Sequence, residues 1–160
     1  MRLMSLTALV VFGLDQLSKW FVVQYLDLIN RGVIEVAPPF LRLTMAWNRG
    51  INFGLFANDA NTTRWVLIGI AVVICAVVLY WMRGETNRYA LLSGGLLFGG
   101  AAGNVIDRII YGAVADFLNM SCCGVANPFA FNIADCAIFL GAVGLVFFAS
   151  DGDKTAGTKA

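Results

Sequence analysis

Four apolar runs leave this sequence few folds to choose from. They are Leu3 to Leu26, Trp65 to Met82, Tyr89 to about Ile110 and Phe129 to Ala149. Each approaches the roughly 20 apolar residues that a helix needs to cross a bilayer. The second run has no charge, and the fourth has only Asp135. The first is interrupted by Asp15 and Lys19, and the third meets Asp107 and Arg108 near its end. Composition agrees: 59% of residues are hydrophobic, 13% are charged, and the mean hydropathy is +0.78. A soluble domain is about half apolar and about a quarter charged. The predicted class is an α-helical integral membrane protein with four transmembrane helices. The first run could also be read as a cleaved leader, but Asp15 and Lys19 break its apolar stretch and no A-x-A site follows.

An even number of spans places both termini on one side of the membrane. Arg2, Arg83, Arg88, Lys154 and Lys159 would share that side; Arg31, Arg42, Arg49 and Arg64 would lie on the other. The basic residues therefore favour cytoplasmic termini by a margin of one. In the long connector, Leu41, Leu43, Met45 and Trp47 of "FLRLTMAW" alternate with Arg42, Thr44 and Ala46, the period of a half-buried strand. "NRG" at Asn48 to Gly50 reads as a turn, and "GVIEV" before Pro38-Pro39 as a partner strand. A small extracytoplasmic β-sheet on the membrane surface is predicted. Residues 1–150 read as a single domain, with the exported β-rich connector at about 27–64. Residues 151–160 form a polar tail expected to be disordered.

Histidine is absent. That excludes a Ser-His-Asp triad, a Cys-His dyad and HExxH zinc chemistry. Net charge is +1, so there is no basic field for a nucleic-acid partner. The cysteines Cys75, Cys122, Cys123 and Cys136 lack CxxC spacing and read as structural or neutral.

Acids remain, and an ionisable residue inside a membrane segment is a functional candidate by default. Asp15 and Lys19 stand four apart, acid first, as an internal ion pair or a tie to another helix. Asn104 shares a helical face with Asp107 and Arg108; those two also read as a solvated interfacial ion pair. Gly95, Gly99 and Gly103 form a small-residue stripe that lets a neighbouring helix approach. Asp116 and Asp135 have no basic residue between Tyr111 and Phe148 to pair with. Asn127-Pro128 reads as the N-cap and first residue of the fourth helix, which puts Asp135 about 9 Å along it. The hairpin can bring both carboxylates together, with Asn132 on the same face. Two close carboxylates in low dielectric share a proton, so one can activate water while the other protonates a leaving group. The alternative is two carboxylates that cap backbone groups separately.

With these residues assembled, the chain resembles the bacterial lipoprotein signal peptidases (signal peptidase II). "DQLSK", "NRGINFGLF", "GGAAGNVIDR", "GAVADFLN" and "FNIAD" match in order. The resemblance implies an intramembrane aspartic endopeptidase without a cofactor. It would cut prolipoproteins before the diacylglyceryl-modified cysteine. Asp116 and Asp135 would be the catalytic acids. Asn48 and Arg108 would hold substrate backbone, with Asn104 and Asn132 around the site and Asp15 and Asp107 supporting it. The resemblance further implies an exported β-cradle, contact with membrane lipid, location in the inner membrane with the site near its periplasmic face, and inhibition by globomycin. Asn52 departs from the small apolar residue common at its position. A small proton- or cation-coupled transporter is the alternative function, since paired intramembrane acids also serve as relays. Transporters usually carry repeated halves and a midplane site. A non-enzymatic assembly factor would tolerate loss of both acids.

Overall fold

The computed structural model describes residues 1–50, 60–121 and 127–149. Asn52, Cys122, Cys123 and the C-terminal tail lie outside the described residues.

The order of elements is helix α1 (Arg2–Lys19), a π-helical turn (Trp20–Tyr25), short helix α2 (Leu28–Arg31), strands β1 (Val33–Ala37) and β2 (Leu41–Asn48), helices α3 (Ala60–Trp81) and α4 (Arg88–Tyr111), strand β3 (Val114–Met120) and helix α5 (Ile133–Phe148). Among the described residues, three helical stretches are long and apolar enough to cross a membrane: Arg2–Tyr25, Asn61–Trp81 and Arg88–Tyr111. The fourth, α5, is apolar but has only 16 residues.

Its start differs from expectation. Asn127 and Pro128 do not begin the helix. Asn127 Oδ1 accepts from Phe129 N at 3.0 Å, a local turn, and Phe131 then bridges to Leu118 of β3. The helix begins after Asn132, whose side chain accepts from Asp135 N while Asp135 accepts from Asn132 N. This reciprocal capping box satisfies donors that a helix start leaves open. Asp135 therefore stands in the first turn, not two turns along. The last backbone groups before the helix pair with the sheet, and that pairing outcompetes helical continuation through Phe129.

Helix α4 is the central element and packs against α1, α3 and α5. Its small residues explain why. A Cβ on Gly95 would lie 2.7 Å from Met4 O, and one on Gly99 would lie 2.5 Å from Ala8 O. The predicted glycine stripe is thus the bed of α1. Gly100 meets Ala134 of α5 in the same way. Close approach on two sides holds the polar residues of three helices at one level.

The sheet is antiparallel in the order β1-β2-β3. Strand β2 falls where the alternation placed it and extends to Asn48, which the sequence reading assigned to the turn, and β1 falls on the expected partner segment. Strand β3 was not anticipated, because it is buried on both faces and has no alternation to read. Phe117 and Leu43 form a core with Val22 and Leu28, seating the sheet on the end of the first span. Gly112, at φ +76°, ends α4 in the left-handed region and turns the chain into β3. Asp116 pairs in register with Ala46, just past a bulge that follows Leu43 in β2. Such a bulge re-aims the residues beyond it, and Asn48 follows two residues later.

Candidate active site

Asp116, Asp135, Asn48, Asn104 and Asn132 come together where β2, β3, α4 and the start of α5 meet. Asp116 Oδ1 accepts from Asn132 Nδ2 at 2.6 Å, and its Oδ2 accepts from Asn48 Nδ2 at 3.0 Å. Asp135 Oδ1 accepts from Asn104 Nδ2 at 2.8 Å, and its Oδ2 accepts from Asn132 N at 3.2 Å. Asn132 therefore donates to both acids, one through its side chain and one through its backbone. Asn132 and Asp116 are buried, and Asp135 is half-buried. The separate-caps reading fails for Asp116, whose carboxylate accepts from the side chains of Asn48 and Asn132, and holds only in part for Asp135.

Burial pushes the Asp116 carboxyl up to about 6, and the negative charge of Asp135 adds to the rise. Hydrogen bonds from Asn48 and Asn132 and the more distant Lys19 charge oppose it. Asparagine amides hold a carboxylate in place without a counter-ion. The two acids share Asn132 as a hydrogen-bond donor, with no ion pair to either among the described residues. That arrangement suits a shared proton.

Asp15 and Asp107 form a different cluster. Lys19 Nζ lies 2.7 Å from Asp15 Oδ2 and 2.7 Å from Asp107 Oδ2. Gln16 Nε2 donates to both acids, at 3.1 Å and 3.0 Å. Asp107 is thus not an interfacial partner of Arg108. It is 1% exposed, and its counter-ion comes from α1. The reason is the helical face: Asp107 turns toward α1 along the glycine stripe, and Arg108 turns away. Asp15 Oδ1 also accepts from Ala134 N at 3.0 Å, so an acid of α1 caps the first turn of α5. Asp107 Oδ2 accepts from Ala115 N at 3.4 Å, beside Asp116. This cluster therefore fixes the backbone next to Asp135 and next to Asp116.

Arg108 Nη1 donates to Asn104 O at 3.2 Å. Together with Asn104 it closes one end of a groove of about 400 Å3 between α3, α4 and α5, whose walls include Leu67, Ile70, Ile74 and Ile138. A larger groove of about 540 Å3, near Met4, Phe12 and Phe98, contains none of these polar residues. Cys136 is exposed beside Asp135, and Cys75 is half-buried in α3.

Two contributions went unread in the sequence. Gln16 joins the Lys19 cluster, and its signal was its place beside Asp15. Asn119 Nδ2 donates to Asn127 O and Phe129 O, both at 2.8 Å, and Arg42 Nε donates to Asn119 Oδ1 at 3.0 Å. This pins the segment that leads to Asn132; only the sheet register could have revealed it.

Residues 7–150 match the family model described as signal peptidase (SPase) II. The chain is 40% identical over 140 residues to a lipoprotein signal peptidase of Methylobacterium sp. (strain 4-46), covering 88% of this chain and 84% of that protein. It is 38% identical over 149 residues to one from Rhodopseudomonas palustris (strain TIE-1), covering 91% and 90%. A bacterial membrane enzyme solved by the in meso method at 2.3 Å superposes with a TM-score of 0.74 at 26% identity, over 97% of this chain and 92% of that one. A second, at 1.9 Å, gives 0.75 at 28% identity, over 89% and 88%. These likenesses exclude the transporter and assembly-factor readings. The chain belongs to the signal peptidase II family of aspartic peptidases and is a multi-pass membrane enzyme with lipoprotein signal peptidase activity.

Proposed function

We propose that Asp116 and Asp135 are the catalytic dyad of this peptidase. The observation that carries this reading is Asn132, which donates to one acid through its side chain and to the other through its backbone. The ionised member takes a proton from water, and the hydroxide so formed attacks the scissile carbonyl. The protonated member returns a proton to the nitrogen of the departing amide as the tetrahedral carbon collapses. Each turnover leaves the dyad with one proton.

The substrate is a prolipoprotein whose cysteine already carries diacylglycerol, and the cut falls before that cysteine. Apolar walls of the α3–α5 groove suit a signal-peptide helix, with Arg108 and Asn48 placed to hold its backbone. Asp15 and Asp107 support the site. Residues 1–150 act as one unit in the bacterial inner membrane, with cytoplasmic termini and the sheet and dyad near the periplasmic face. There the site meets membrane lipid and binds globomycin as an inhibitor.

Purified protein in detergent, given a diacylated prolipoprotein and an undiacylated control, tests the substrate class. Cleavage of the diacylated form alone is expected. Equal cleavage of both forms would remove the lipid from recognition.

A further inference from the structure

The buried ammonium has a third ligand that the ion pairs do not require. Lys19 Nζ lies 3.4 Å from Asn104 Oδ1, in addition to its two contacts with Asp15 and Asp107. An ammonium has three protons to donate, and three oxygens surround this one: Asp15 and Asn104 by hydrogen bond, Asp107 by ion pair. Asn104 Oδ1 receives a second donor, Asn132 Nδ2, also at 3.4 Å. Two donors converging on one oxygen leave the Asn104 amide a single orientation. Turned over, its NH2 would face an ammonium and another NH2, and Asp135 Oδ1 would face an oxygen in place of its donor. In the orientation that remains, Nδ2 points at Asp135 Oδ1, 2.8 Å away.

We infer that Lys19 is a positioning residue for the reaction: it fixes the Asn104 amide, and through that amide the carboxylate of Asp135. The relay runs from α1 through α4 to α5. Lys19 has no hydrogen bond or ion pair to Asp135, so its direct hold on that carboxylate runs through Asn104, while its charge also reaches Asp116 as the last of the influences on that group. A helix-pairing role alone would leave this third contact without consequence. The relay makes the ammonium part of the geometry of the dyad. A carboxylate that lost Asn104 would be held only by the Asn132 backbone and would be free to turn away from water and substrate.

The inference rests on the dyad assignment, and the experiment separates the two. Lys19→Met, Asn104→Ala and the double variant are made in the full chain and purified in detergent. For each, kcat and KM for a diacylated prolipoprotein and the melting temperature are measured. Lys19→Met is expected to lower kcat per folded molecule by about tenfold or more while KM stays within about twofold. The double variant is expected to fall no more than about threefold below the slower single one, because both changes cut the same relay. Losses that multiply, or an unchanged kcat in Lys19→Met, would overturn the relay and reduce Lys19 to a structural tie. If Lys19→Met does not fold, the same cycle is run with Asp107→Asn in every member. Removing one acid along with the ammonium leaves the net charge of the cluster unchanged, and the same two outcomes decide. Asp116→Asn and Asp135→Asn are measured alongside. Full activity in either defeats the dyad itself, whereas inactive Asn variants with multiplying losses defeat only the relay.

Discussion

Asp15 and Asp107 share an ammonium, Lys19 Nζ, at 2.7 Å from each. Asp116 and Asp135 share a neutral residue, Asn132. Both pairs lie against α4, and both include a buried aspartate. The difference is the countercharge. A cation between two carboxylates offsets their repulsion, and here the two acids accept from Ala134 N and Ala115 N. With amides between them, two carboxylates keep their repulsion and compete for a proton. On the proposed assignment, one pair builds the frame and the other carries the reaction. The sites touch through Asn104, which accepts from Lys19 and donates to Asp135.

The sharpest break in this comparison is removal of the proton from the dyad. Asp116→Asn and Asp135→Asn keep size and shape but cannot share a proton. Each is expected to lower turnover by at least about 10³-fold, and the double variant by little more, because the pair acts as a unit. The measurement is cleavage of diacylated prolipoprotein per folded molecule. Near-native turnover in either single variant would move the chemistry elsewhere.

The second comparison removes acids from the frame. Asp15→Ala and Asp107→Ala each take one of two anionic partners from buried Lys19 and remove the carboxylate that accepts from a backbone N–H. A loss of about 3–5 kcal/mol is the usual scale for breaking a buried pair. Melting temperature and yield should fall first. Turnover per folded molecule should fall less than in the dyad variants. A frame variant with native melting and no turnover would erase the distinction between the two pairs.

The smallest effect concerns pH. The Asp116 carboxyl sits at about 6 in the folded chain, above the ordinary 3.8, mainly through burial and then through the Asp135 charge. Between those values the native state holds the proton more tightly than the unfolded state. The sign follows: this contribution to stability is complete below about pH 4 and is lost as pH rises through about 6. Its upper size is about 3 kcal/mol. Asp116→Asn should therefore melt above the parent at pH 8, with the gap narrowing toward pH 5. A gap constant across that range would mean that Asp116 does not titrate there.

Much of the site was legible because its residues carry chemistry that an apolar sequence does not keep without reason. Asp116 and Asp135 stood out for lack of any basic neighbour. Asp15 and Lys19 stood out at a spacing that pairs them on any helix. Partners from other elements were not legible. Asp107 lies next to Arg108 in sequence yet pairs with Lys19, because adjacent residues on a helix point apart and α1 supplies the face that Asp107 meets. The start of α5 was misplaced at Asn127-Pro128, where local capping preference is real but weaker than pairing of Phe131 with β3. Strand β3 had no alternation, since both of its faces are covered.

The sequence by itself determined the membrane class, the spanning runs, the first two strands and the acids proposed for the site, because hydropathy, period and charge are local properties of the chain. Tertiary structure decided which acid meets a cation and which meets an amide. That choice depends on the glycine bed that seats α1 on α4, on the turn at Gly112, and on the register that sets Asp116 beside Asn48. Each of these brings together residues far apart in the chain, and no local pattern encodes the distance between them.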